Sequence, residues 1–193
     1  MLILILLILL LLLLFYLLNK SKFNMISNKY TDAKKLGKFY INSILKDQSL
    51  LNDKGIINNY AVMFDIDDTL ISTDNGHIIK PIKDLLDFCI NKGLLIIIIT
   101  ARDNIYKKQT IQELNKHSIN YSGLYLHEGS KTIGDFNNFK SNIKKNLFET
   151  YKIKTIMSVG DQNIDIIGKY SGYGLKLPNK TDPNLYEITS VVG

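Results

Sequence analysis

From Tyr60 onward, short unbroken apolar runs alternate with longer stretches whose apolar residues recur every three or four positions. No other feature restricts the fold as much. Tyr60–Ile66, Leu94–Ile99, Gly123–His127, Thr155–Val159 and Gly174–Leu177 read as strands. Ile79–Lys92 reads as a helix that turns Ile82, Leu85, Leu86, Cys89 and Ile90 inward. Ile105–His117, Phe139–Tyr151 and the short Ile164–Tyr170 read as helices too. Strands that are apolar on both sides must be covered on both faces, and helical crossovers make them parallel. The expectation is an α/β chain, a three-layer sandwich around a central parallel sheet. In such sheets a ligand lies beyond the carboxyl ends of the strands, where the strand order reverses.

The chain has 193 residues, enough for one domain of ordinary size with its own core. A single cysteine, Cys89, excludes an internal disulfide framework, and its place in a helical pattern makes it a core residue. Ahead of the α/β part, Met1–Leu18 carries no charge, glycine or proline. At about 1.5 Å per residue such a helix just reaches across a hydrocarbon core of about 30 Å. The following "NKSKFNM" offers no convincing cleavage site for a signal peptide. An uncleaved single-pass membrane anchor is therefore expected, with a secreted or luminal product after cleavage as the alternative.

Lys20, Lys22, Lys29, Lys34, Lys35 and Lys38 follow the run with only Asp32 opposing them, within a formal charge of +6. Basic residues on that side place the remaining chain on the cytoplasmic face, and the cluster suits anionic headgroups. Nucleic-acid binding is the less favoured reading. Tyr30, Ala33, Leu36, Phe39, Tyr40 and Ile44 recur at helical spacing over Ser27–Lys46, and "DQSLLNDKGIINN" reads as a connection. The expected organisation is an anchor over 1–19, a basic segment with an amphipathic helix over 20–58, and the α/β domain over 59–193.

The first strand ends in "FDIDDT", which brings Asp65, Asp67 and Asp68 together although neighbouring carboxylates repel. A cation is the obvious compensation. In extended chain Asp65 and Asp67 share a face, whereas Asp68 alternates away and serves the local turn. The second strand ends in Thr100-Ala101-Arg102 and the fourth in "GDQNID", Gly160–Asp165. Lys140 opens the helix before that fourth strand, with Lys131 as its substitute if the preceding loop is longer. Carboxylates, a hydroxyl and permanent cations converging on one edge suit phosphoryl transfer, in which an anion is positioned and developing charge neutralised. "ISTDNGHII" adds a hairpin signal at Asn75-Gly76, since both turn positions favour positive φ. His77, His117 and His127 form no metal-ligand spacing.

"DIDDT", Thr100, Lys140 and "GDQNID" resemble, in order, the four motifs of the haloacid dehalogenase (HAD) superfamily. "FDIDDTL", "FKSNIKKNL", "VGDQNIDIIG" and "LKLPN" are similar to stretches of its subfamily IIIB acid phosphatases, the class B and plant vegetative-storage-type enzymes. The resemblance covers about Tyr60 to Leu177 and implies a HAD-like Rossmannoid domain. It implies that Asp65 is a nucleophile forming an aspartyl-phosphate, and that Asp67 protonates the leaving oxygen and then activates water. It further implies substrate binding by Thr100, Ala101, Arg102 and Lys140, and Mg²⁺ held by Asp65, the Asp67 carbonyl, Asp161 and Asp165. Subfamily IIIB enzymes carry a longer insertion between the first two motifs, so a minimal cap or none is expected here.

The function that follows is Mg²⁺-dependent hydrolysis of a phosphomonoester. Alternatives are a phosphatase acting on nucleic-acid 3′ ends or on phosphoprotein, or a phosphoacceptor or scaffold at a membrane that does not turn over. The oligomeric state is left open.

Overall fold

The computed structural model describes residues 2–46, 59–129, 133–182 and 186–190, with side chains for 7–17, 29–46, 59–129, 138–182 and 186–189. Most of the expected connection, 47–58, and the substitute Lys131 lie outside these residues. The elements in order are α1 (Leu2–Lys46), β1 (Tyr60–Phe64), α2 (Lys80–Asn91), β2 (Leu95–Asp103), α3 (Lys107–Lys116), β3 (Gly123–His127), α4 (Ile133–Tyr151), β4 (Lys154–Gly160), α5 (Asn163–Ile166), β5 (Tyr173–Lys176) and β6 (Glu187–Ser190).

The six strands form one sheet in the order β3-β2-β1-β4-β5-β6. All pairs are parallel except β5 with the edge strand β6, which the sequence pattern did not reveal. β1 is central and buried along its whole length. Its alternation divides the core. Tyr60, Val62 and Phe64 join Ile96, Ile98, Ile82, Leu85, Leu86 and Cys89 on the α1–α2 side. Ala61 and Met63 join Ile97, Ile99 and Leu147 on the α4 side. Both faces are thus covered, as an all-apolar parallel strand requires. The strand order reverses between β1 and β4, which opens a crevice at their carboxyl ends. The Ser72–His77 hairpin follows β1 at that edge and meets the loop after β5, where Lys180 Nζ lies 2.7 Å from Asp74 Oδ1 and 2.9 Å from Thr73 Oγ1.

The expected anchor and amphipathic helix are one element: α1 runs unbroken from Leu2 to Lys46. Its second half packs on the domain through Ala33, Ile41 and Ile44, all buried, with Tyr30, Leu36, Tyr40 and Leu45 beside them. Phe39 is a correction to the expected inward set, since it is 64% exposed. In the front half, Leu7–Leu17 are all substantially exposed, on every side of the helix. Among the described residues no helix is long and apolar enough to cross a membrane. The apolar run extends past the described side chains at both ends, over 1–6 and at Leu18.

The expected two-residue turn is also corrected. Of Asn75 and Gly76 only Gly76 takes positive φ (67°), and the loop closes wider, with Gly76 N–H donating to Ser72 O at 2.8 Å. The Asn75 side chain accepts from His77 N–H at 2.9 Å and occupies itself with the backbone instead.

Candidate active site

Parallel pairing carries one residue beyond β1, because Asp65 N–H donates to Val159 O at 3.1 Å. That bond plants Asp65 in the crevice between β1 and β4. The chain then coils tightly: Ile66 O accepts from the N–H groups of Thr69, Leu70 and Ile71. Asp68 takes φ +53°, a conformation short acids tolerate, and its carboxylate accepts from Thr73 N–H and Oγ1 at 2.8 Å. Asp68 is thus a turn-former, as its place in the strand alternation suggested.

Lys140 reaches into the crevice from α4, with its Nζ 2.6 Å from Asp65 Oδ1 and 2.5 Å from Asp165 Oδ1. Asp65, Asp161 and Asp165 are all buried, and each offers an oxygen within 4.8 Å of the others. Asp165 is turned inward by the helix start: its Oδ2 accepts from Gln162 N–H at 2.9 Å in a capping box. Gly160 leaves room for it, since a Cβ there would overlap the Asp165 side chain. The Asp161 carbonyl is fixed by Lys176 Nζ at 2.5 Å and Asn179 Nδ2 at 2.8 Å. One turn after Lys140, Lys144 ties Asp165 O, Ile167 O and Ser171 Oγ together at 2.6–3.2 Å. Burial pushes Lys144 down to about 7, with Asp165 opposing the fall.

Burial also pushes the Asp65 carboxyl upward; Lys140 opposes this, and Asp165 and Asp67 add to it. Asp161 is pushed up to about 6 by burial and by Asp165. Lys140 itself stays charged, because the two carboxylates outweigh the burial that works against its ammonium. Of the three buried carboxylates, those of Asp65 and Asp165 are contacted by the Lys140 ammonium, while Lys144 and Lys176 bond to the backbone carbonyls of Asp165 and Asp161. An all-oxygen set of this kind fits a hard divalent cation, which would favour the ionised carboxylates that burial disfavours.

Asp67 does not join that cluster through its side chain. Its two oxygens accept from Arg102, with Nη2 at 2.6 Å and Nε at 2.9 Å, and Arg102 Nη1 goes on to Glu113 at 2.6 Å. Arg102, expected on phosphate, is engaged by these two carboxylates. In β2, the register against β3 shifts between Thr100 and Asp103. Ala101 and Arg102 are the residues that fall within this irregularity, a place where strands commonly redirect side chains. Thr100 is fully buried three residues before the end of β2, and its Oγ1 accepts from Arg102 N–H at 3.3 Å, while Ala101 is exposed.

The crevice therefore unites Asp65, Lys140, Asp161 and Asp165, with Thr100 in neighbouring β2 just before its irregularity and Asp67 held by Arg102. Sequence reasoning missed Lys176, Asn179, Glu113 and Tyr30. Only Lys176 had a local signal, a lysine inside the otherwise apolar "GLKLP". Tyr30 comes from α1, where its hydroxyl lies 3.1 Å from Pro178 O and 3.3 Å from Asp68 O, joining the loops on either side of the crevice.

A mostly parallel α/β sheet with acids and a lysine at its switch point defines a class of phosphate-handling domain. The family model for the HAD superfamily, subfamily IIIB (acid phosphatase), matches residues 73–183, and the chain belongs to that family. The matched span holds Thr100, Arg102, Lys140, Asp161 and Asp165 and begins after Asp65 and Asp67. Among solved structures, the class C acid phosphatase from Bacillus anthracis is similar at 16% identity and a TM-score of 0.51, over 72% of this chain and 64% of that one. A chain of the Pnkp1/Rnl/Hen1 RNA repair complex is similar at 24% identity and a TM-score of 0.46, over 59% of this chain and 40% of that one. This chain thus spans less than two thirds of the length of either. No curated protein matches it.

Proposed function

We propose that this chain is a Mg²⁺-dependent phosphomonoester hydrolase that works through an aspartyl-phosphate on Asp65. One observation carries the reading: Lys140 bridges buried Asp65 and Asp165, with Asp161 alongside, in the crevice where the strand order reverses. In the first step an Asp65 oxygen bonds to phosphorus, and the bond to the leaving oxygen breaks as that oxygen takes a proton from Asp67. In the second step water attacks phosphorus, gives its proton to Asp67, and the Asp65–phosphorus bond breaks. Lys140 offsets negative charge at Asp65 and at the phosphoryl group, and the Thr100 hydroxyl donates to a phosphoryl oxygen. Asp65, the Asp67 carbonyl, Asp161 and Asp165 would hold Mg²⁺, which supplies electrostatic stabilisation of the phosphoryl oxygens.

Hydrolysis of 4-nitrophenyl phosphate by the full chain in detergent tests this. Asp65→Asn is expected to abolish turnover, and chelation with EDTA to abolish it until Mg²⁺ is restored. Undiminished activity in Asp65→Asn would end the reading. Bulky phosphate carriers, an oligonucleotide 3′ end or a phosphoprotein, are the second reading. The formal charge of +6 favours the oligonucleotide, and comparing such substrates with small monoesters separates the two. The exposed apolar front of α1 supports a further part of the proposal, that the chain is held at a membrane, and the lysines that follow the apolar run favour the cytoplasmic side for the domain.

A further inference from the structure

Arg102 is the single arginine among 24 lysines and arginines. A chain that uses lysine at every other basic position has, at this one, a flat fork that lysine cannot supply. The fork has two engagements. Nε and Nη2 face the two Asp67 oxygens, and Nη1 donates to Glu113 Oε2 at 2.6 Å. Because the guanidinium is planar, fixing Nη1 fixes the direction in which the other two donors point. Glu113 belongs to α3, an element that carries no other group of the proposed chemistry. It is half-buried, and burial, which works against the charge of Arg102, is outweighed by Asp67 and Glu113. A surface ion pair of ordinary worth would contribute little to stability and nothing to the reaction. Here the chain of contacts ends on the carboxylate that handles the leaving-group proton.

We infer that Glu113 is a positioning residue for Asp67: it orients Arg102, and Arg102 in turn holds the Asp67 carboxylate where the leaving oxygen departs. The inference rests on the role given to Asp67 above. In the step it serves, the Asp67 O–H bond breaks, the proton goes to the leaving oxygen, and the phosphorus–oxygen bond to that atom breaks. A carboxylate free to swing still neutralises charge but meets that oxygen less often. The loss should therefore fall on substrates whose leaving group needs a proton and spare those whose leaving group departs as a stable anion.

The test uses the full chain with saturating Mg²⁺ and two substrates, an alkyl phosphate such as glycerol phosphate and 4-nitrophenyl phosphate. Glu113→Ala is expected to lower kcat on the alkyl ester by about tenfold, part of the roughly 10²–10⁴ that a positioned acid supplies. Its kcat on the aryl ester should change less than about twofold by the same argument. Glu113→Gln keeps an acceptor oxygen for Nη1 and should fall between, and it serves as the test if the alanine variant does not fold. Equal loss on both esters, no loss, or a gain on the alkyl ester would overturn the inference. Asp67→Asn separates the two levels of the argument. If it shows the selective loss while Glu113→Ala does not, only the link through Glu113 fails. If Asp67→Asn itself is not selective, the role of Asp67 falls and the inference falls with it.

Discussion

Gly160 shows how a single missing side chain sets the geometry of the crevice. It ends β4, and a Cβ there would overlap both the Cβ and the carboxylate of Asp165. Gly160→Ala must therefore move Asp165, the residue that holds Lys140 in common with Asp65. The expected result is a 10–100-fold loss of activity or of metal affinity, the usual cost of displacing a group that supports a site, read from Mg²⁺ titrations of turnover. A variant with unchanged Mg²⁺ dependence would show that Asp165 is not needed where it lies. At this scale the sequence was legible wherever chemistry follows from the end of a strand. Asp65 and Asp161 end apolar runs, and Asp165 follows Asp161 by one helical turn. The partner of Asp67 was not legible. It depends on Arg102, which falls within an irregularity of β2, and on Glu113, eleven positions later on another element.

Among the elements, the continuous apolar strands were readable because burial on both faces removes polar residues from them altogether, as in β1 and in Ile96–Ile99 of β2. β6 was not, because among the described residues its "EITS" pairs along one edge only, and none of Glu187, Ile188 and Thr189 is buried enough to write a pattern. α2 illustrates the readable kind: Ile82, Leu85, Leu86 and Cys89 are all buried at helical spacing. Its cysteine carries a prediction. Burial pushes the Cys89 thiol up to about 12, with Lys38 opposing, above the ordinary value of 9.0. Between those values the folded chain binds the proton that the unfolded chain has lost. The contribution to stability is therefore fully present below about pH 9 and is lost as pH rises through about 12. Since the thiolate is the reactive form, iodoacetamide at pH 8 should leave the native protein unmodified and label it stoichiometrically in denaturant, read by mass spectrometry. Rapid native labelling would mean that α2 opens readily from the sheet.

On the scale of the whole molecule, α1 is a single helix with two surroundings. From Tyr30 to Leu45 it belongs to the domain: Lys34 pairs with Asp84 at 3.3 Å, Lys38 lies over the Phe88 ring, and Ala33, Ile41 and Ile44 are buried. Tyr30 joins the loop of Asp68 to the loop of Pro178, so the helix also braces the crevice. Burying isoleucine contributes about 1.5–3 kcal/mol per side chain. Losing Ile41 and Ile44, together with the contacts of Tyr30 and Tyr40, would consume much of a total stability of about 5–15 kcal/mol. From Leu7 to Leu17, by contrast, the helix exposes apolar side chains in every direction. Two truncations therefore separate the two parts. A chain lacking residues 1–28 should keep a cooperative melt and full hydrolysis of 4-nitrophenyl phosphate, yet fail to sediment with liposomes containing anionic lipid, which the full chain should do. A chain lacking residues 1–46 should lose the cooperative melt, because the α2 face and the sheet face at β4 and β5 beneath it would then meet water. If the shorter deletion already abolished folding, the apolar front would be packing against the domain and the membrane reading would fail. If the longer one folded and turned over normally, α1 would have no share in the core.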